Sequence, residues 1–211
     1  MNNSAENHTL AFERILFFSD AVFAIAITLL VLEIKVPHVD PEYLNDAGIR
    51  HALVELLPKV AGFIFSFFII GLMWIEHHRI FCYIGNFDFG LIWRNLLFLF
   101  FVAFIPFPTA LYSEYFRSQA AFILYVLGFA FAALAKILIW NYAVKQRAQL
   151  IIPEADDELI KQISRRSWAV PIVCVIAIGL SFIAVAFGGL VFPFIPLVAH
   201  LLSPKKREAA A

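Results

Sequence analysis

Of 211 residues, 62% are apolar and 15% charged, Phe alone occurs 24 times, and acidic and basic side chains balance to a formal net charge of +0. One soluble core of this size cannot hide that much apolar surface, so the chain reads as an integral membrane protein. No block of like charge invites nucleic acid, and Cys82 and Cys174, far apart and without metal-ligand spacing, read as free structural thiols.

The fold class expected is all-α, a polytopic membrane protein with six transmembrane helices forming one domain over 1–211. Each span comes near the roughly 20 apolar residues that cross about 30 Å of hydrocarbon. The spans cover residues 15–34, 54–75, 89–111, 121–142, 168–187 and 190–202. In the first, Arg14 stands at the entrance and Phe18-Ser19-Asp20 lie inside an otherwise apolar run. A charged side chain at bilayer depth costs at least about 2.5 kcal/mol, so Asp20 must be partnered and marks a functional or assembly site. This span is too long and too well flanked for a cleaved signal peptide, and no Ala-x-Ala site follows it. The polar loop 35–59 is too small for a core of its own. In the loop 145–167, Asp156-Asp157-Glu158-Leu159 with Lys161 predicts a short amphipathic helix after Pro153. The sixth span is short and holds Pro193 and Pro196, which predicts a kinked or partial crossing. Gly188-Gly189 before it predicts a tight antiparallel hairpin.

Lys and Arg set the orientation. With the N-terminus inside, the inner set is Arg14, Arg79, Lys145, Arg147, Lys161, Arg165, Arg166, Lys205, Lys206 and Arg207, against Lys35, Arg50, Lys59 and Arg117 outside. The bias places both termini in the cytoplasm, with the chain multi-pass in the cell membrane. Arg94 and Lys136 fall within spans and read as snorkelling or paired.

On a helical wheel at about 100° per residue, Ile25, Thr28, Leu29 and Leu32 share one stripe, extending through Ala21, Val22 and Phe18, while Asp20 points to nearly the opposite side. One face thus offers a single hydroxyl among aliphatics and another must satisfy a carboxylate. From the residues alone, Thr28 either serves that face or merely bonds back to a carbonyl one turn earlier.

Arg14-x-x-x-Phe18-Ser19-Asp20 resembles the signature of the transmembrane protein 175 family of potassium channels, in its prokaryotic six-span form. Trp74-Ile75-Glu76-His77-His78-Arg79, and Asn95-Leu96-Leu97-Phe98-Leu99-Phe100 leading to Pro106-Phe107-Pro108-Thr109, are similar to the family's pattern as well. The similarity runs from about Phe12 to Leu202. It implies a homotetramer whose first helices surround a central pore, lined at the positions five, eight and twelve residues beyond Asp20, which are Ile25, Thr28 and Leu32. These lie on the stripe already drawn from the wheel, beside Leu29. The family lacks a backbone-carbonyl filter, and no Thr-Val-Gly-Tyr-Gly occurs here.

The implied mechanism is a ring of Ile25 as an apolar gate, a ring of Thr28 hydroxyls replacing part of an ion's hydration shell, and a second apolar collar of Leu32 toward the outer mouth. Few, weak oxygen ligands predict modest selectivity for potassium over sodium, with potassium as permeant ligand and no cofactor. Resemblance further implies that Ser19 and Asp20 tie the first helix to its neighbours, with Trp74, His77 and Asn95 as partners. Arg14 would join that network or hold lipid phosphate. Adjacent histidines point in different directions on a helix, so His77-His78 makes a poor metal site.

Two other classes stay open from the residues: a proton- or ion-coupled transporter relaying between Asp20 and His77, and a non-conducting membrane assembly subunit. An enzyme is not expected, since neither Gly-x-Ser-x-Gly nor His-Glu-x-x-His appears.

Overall fold

The computed structural model describes residues 3–203, which are overwhelmingly helical; no strand longer than an isolated bridge between Ile84 and Ile151 occurs among them. Lys205, Lys206 and Arg207 of the charge count lie outside the described residues. Helix α1 (Asn3–Leu29) starts well before the first predicted span, because nothing between Glu6 and Arg14 breaks a helix, and it tightens into a 3-10 turn over Leu30–Glu33. A short helix, α2 (Asp46–Glu55), is capped by the Asn45 side chain, which accepts from the Ala47 and Gly48 amides. Pro58 sits in the first turn of α3 (Leu57–Phe81), where its missing N–H costs nothing.

The third predicted span is two helices. α4 (Phe89–Phe104) opens on Asp88, whose carboxylate accepts the Leu91 amide at 2.7 Å, and α5 (Pro106–Glu114) follows after a break at Ile105. Pro106 has no amide to continue the ladder, so the Ile105 N–H tightens onto the Val102 carbonyl at 3.2 Å. The Thr109 hydroxyl covers the Ile105 carbonyl at 2.9 Å. It also meets Ser66 at 3.0 Å, and Ser66 meets Tyr125 at 3.1 Å, so the break is stitched by three buried hydroxyls.

Helix α6 (Gln119–Lys145) packs on α3, α4, α5 and α9 (Ala169–Ser181). Its buried residues include Ala121, Gly128, Ala132, Ala133, Ala135 and Ala143, small side chains that let neighbouring backbones approach where lipid supplies no hydrophobic drive. A single turn, α7 (Arg147–Leu150), precedes the amphipathic α8 (Asp157–Arg166), which Asp156 caps at the Leu159 amide.

Beyond α9 the chain departs from the expected hairpin. The turn falls at Phe182–Ala184, where Ala184 is extended, and Gly188-Gly189 lie inside α10 (Val185–Gly189). Gly188 serves packing instead of turning: a β-carbon there would stand 2.5 Å from the Phe122 ring and 2.7 Å from the Ala177 carbonyl oxygen. A 3-10 turn over Phe192–Phe194 leads into α11 (Ile195–Leu201). Among the described residues, five segments are long and apolar enough to cross a membrane, namely Glu6–Glu33, Leu57–Phe81, Phe89–Glu114, Gln119–Lys145 and Asp157–Ser181. The Val185–Leu201 segment is shorter, as its prolines foreshadow. Phe17, Trp93, Phe100, Val175 and Phe182 are exposed, a surface suited to lipid or to other subunits. The molecule is an all-α polytopic membrane protein.

Candidate functional site

Helix α1 lies against α3 and α4. Ser19, Phe23, Ala26 and Leu30 recur at helical spacing and are buried, so one side of α1 is fixed to the bundle. Two sets of side-chain bonds hold it there. In the first, the Ser19 hydroxyl donates to the Ile15 carbonyl at 2.9 Å and accepts from Asn95 Nδ2 at 2.9 Å. Asn95 Oδ1 faces His77 Nε2 at 3.0 Å, an arrangement that requires the proton on Nε2. All three residues are buried, and the His77 ring stacks on Phe98 with 5.2 Å between centroids and 9° between planes. In the second, the Trp74 indole donates to Asp20 Oδ1 at 2.8 Å, on the edge where α1 meets α3.

The chain thus brings Ser19, Asp20, Trp74, His77 and Asn95 together. Asp20 and His77 share no hydrogen bond: each closes its own tie, one through Trp74 and the other through Asn95. The remaining motif residues stay outside the network. Arg14 is exposed beside Asn7, Leu10 and Phe17 and forms no ion pair among the described residues, and Phe18 is exposed as well.

Across α1 from the buried stripe, Ile25 is 58% exposed, Leu29 41% and Leu32 67%, with Thr28 exposed among them. The Thr28 hydroxyl donates to the Ile25 carbonyl at 2.9 Å. That back-bond and a pore role are compatible, because the bond uses the proton and leaves oxygen lone pairs, the correct polarity for a cation.

His78 approaches the Cys82 sulfur at 3.6 Å, and no group of three or more His, Cys, Asp or Glu side chains placed to hold a metal occurs among the described residues. Both cysteines are free thiols, Cys82 exposed and Cys174 buried. Sequence reasoning missed two polar clusters. One is the hydroxyl trio Ser66, Thr109 and Tyr125; the other gathers Arg79, Lys136 and Arg166 around Glu76. A carboxylate near the end of α3 and a lysine within α6 were the available signals for the second, and nothing local linked them.

The family model described as "Endosomal/lysosomal potassium channel TMEM175" matches residues 14–106, which include the α1 stripe and every residue of both ties. A protein of Streptomyces collinus named as a potassium channel is 42% identical over 147 residues, covering 68% of this chain and 69% of that one. Another so named, from Chamaesiphon minutus, is 39% identical over 175 residues, covering 82% and 85%. The crystal structure of a lysosomal potassium-selective channel TMEM175 homologue from Chamaesiphon minutus superposes with a TM-score of 0.77 at 34% identity, over 92% of this chain and 99% of that one. On the sequence match and the shared architecture together, this chain belongs to the TMEM175 family.

Proposed function

We propose that this chain is the subunit of a potassium channel in which four copies place their α1 helices around one axis. Its family membership and its likeness to proteins named as potassium channels support the activity. The observation that carries the pore assignment is the two-sidedness of α1: a buried side-chain bond to α4 and an exposed one to α3 fix one side, while the Ile25, Thr28, Leu29 and Leu32 stripe stays uncovered in the single subunit.

In the assembly, Ile25 forms the narrowest ring, where a water column is unstable until the helices part slightly. Thr28, about one turn further along, presents four hydroxyl oxygens that replace part of a potassium ion's hydration shell. Sodium holds its water more strongly and is admitted less readily. Leu32 closes a second apolar collar, and Leu29 lines the wall between. The ties at Ser19 and Asp20 set how far each α1 leans toward the axis. Lys and Arg asymmetry favours both termini in the cytoplasm of a multi-pass cell-membrane protein, an arrangement that requires the shorter Val185–Leu201 segment to complete a sixth crossing. Potassium is the permeant ligand, and the mechanism uses no cofactor and no enzymatic step.

Purified protein in a planar bilayer tests this reading. Discrete potassium currents from a particle with the mass of four subunits are expected. Saturable, slow flux without unitary currents would instead indicate a coupled transporter.

A further inference from the structure

At the end of the bundle where α3, α6 and α8 converge, one carboxylate serves three cations. Glu76 Oε1 accepts from Arg79 Nη1 at 2.9 Å and from Arg166 Nε at 3.0 Å, and Glu76 Oε2 lies 4.0 Å from Lys136 Nζ. With Glu76 ionised and all three bases protonated, the cluster carries two uncompensated positive charges. Excess charge on a buried side chain is costly unless something pairs it. Arg79 and Arg166 are partly exposed and reach solvent, but the Lys136 side chain is only 4% exposed. A separation of 4.0 Å is an ion pair and too long for a hydrogen bond, so the ammonium's three donors find no acceptor among the described residues.

What Lys136 meets instead is a cavity of about 50 Å³. Its polar wall is Glu76, Lys136 and Arg166, and its apolar wall includes Val170 of α9 and Ile195 and Pro196 of α11. A single water needs about 10–15 Å³ by this measure, so the cavity has room for a small polyatomic anion. Lys and Arg are the side chains that recognise phosphate, the first as a point charge and the second as a fork of donors.

We propose that this cavity is a phosphate-binding site, with Lys136 and Arg166 as its principal donors. The ligand is either the phosphodiester headgroup of an anionic lipid, with its glycerol against the α9 and α11 wall, or free phosphate from the aqueous side. Glu76 holds the two arginines in place and leaves Lys136 to the ligand. This site lies apart from the α1 stripe and does not require conduction, so its failure and that of the channel reading are separable.

The test uses the full chain purified into nanodiscs of zwitterionic lipid. Phosphatidylglycerol is added in increasing proportion in one arm and inorganic phosphate in the other, and thermal unfolding is followed with native mass spectrometry of retained adducts. A ligand that binds the folded form raises Tm in a saturable way. A rise in the lipid arm identifies the headgroup and a rise in the phosphate arm alone identifies the free anion. In either case Lys136→Met and Arg166→Gln should weaken the apparent affinity at least about tenfold, while Arg117→Gln, at the opposite end, should leave it unchanged. If Lys136→Met does not give a monodisperse particle, Arg166→Gln decides the matter. No saturable rise in either arm, or a rise equal in wild type and Arg166→Gln, overturns the proposal.

Discussion

Asn95 joins Ser19 at 2.9 Å across 76 positions of sequence, and its other amide atom meets His77 at 3.0 Å, so one side chain couples α1 to both α3 and α4. Replacing Asn95 by Leu leaves the His77 N–H without a partner in a buried site, and an orphaned buried donor costs about 1–3 kcal/mol. The variant should unfold in detergent at lower denaturant or temperature than wild type. Adding His77→Phe removes the orphan and should recover part of the loss. A double variant less stable than Asn95→Leu by the full cost of a second lesion would show that the two side chains do not act as a pair.

Trp74 and Asp20 make the second tie, and here the charge matters. Trp74→Phe removes the donor and leaves the carboxylate in the membrane-spanning helix without that bond; a hydrogen bond to a charged group is worth about 1.5–3 kcal/mol. The yield of monodisperse particle on size-exclusion chromatography should fall. Combining it with Asp20→Asn removes the charge and should restore part of the yield. Equal yields for Trp74→Phe and wild type would mean that Asp20 is satisfied elsewhere.

Ile25 is the residue assigned to the narrowest ring. Ile25→Ala widens it in every subunit and should raise potassium current at fixed protein density several-fold, because a wider or wetter constriction conducts without the helices parting. Ile25→Phe should reduce it. Single-channel recording separates changed conductance from changed open probability, and an unaltered current in Ile25→Ala would move the gate to another position.

Gly188 gives a prediction about the fold. A β-carbon there meets the Phe122 ring at 2.5 Å and the Ala177 backbone oxygen at 2.7 Å. Gly188→Ala should therefore destabilise by about 1–3 kcal/mol through overpacking. Gly189→Ala should cost far less, since nothing lies within 4 Å of its added carbon. Thermal unfolding of the two variants side by side makes the comparison.

Residues of unlike legibility make up this molecule. Asp20 is legible from the residues because a carboxylate in an apolar span must find a partner, whereas Trp74, His77 and Asn95 are singled out through the family resemblance; the structure brings all four into two ties. The hydroxyls of Ser66, Thr109 and Tyr125 did not stand out, since a serine or threonine can satisfy itself on its own helix and gives no hint of a distant partner. Glu76 and Arg166 are 90 positions apart, beyond the reach of any local pattern. Pro106 carried the information for the break between α4 and α5, yet the apolar run continues through it, and hydropathy reads one span where the backbone makes two helices. Gly188-Gly189 misled in the opposite direction: the pair suggested a turn, whereas Gly188 is small because Phe122 lies against it. The start of α1 was also hidden, because a polar helical extension looks like any exposed tail until the bundle is built.

Thr28 is the single hydroxyl on the uncovered stripe, so the most direct measurement is the bi-ionic potassium–sodium reversal potential of wild type and Thr28→Ala in the same planar bilayer. A potassium-favouring potential in wild type that moves toward zero in Thr28→Ala, with current retained, is the predicted result. An unchanged potential in the variant would contradict selection by the Thr28 ring, and the absence of current from monodisperse wild type would contradict the channel itself.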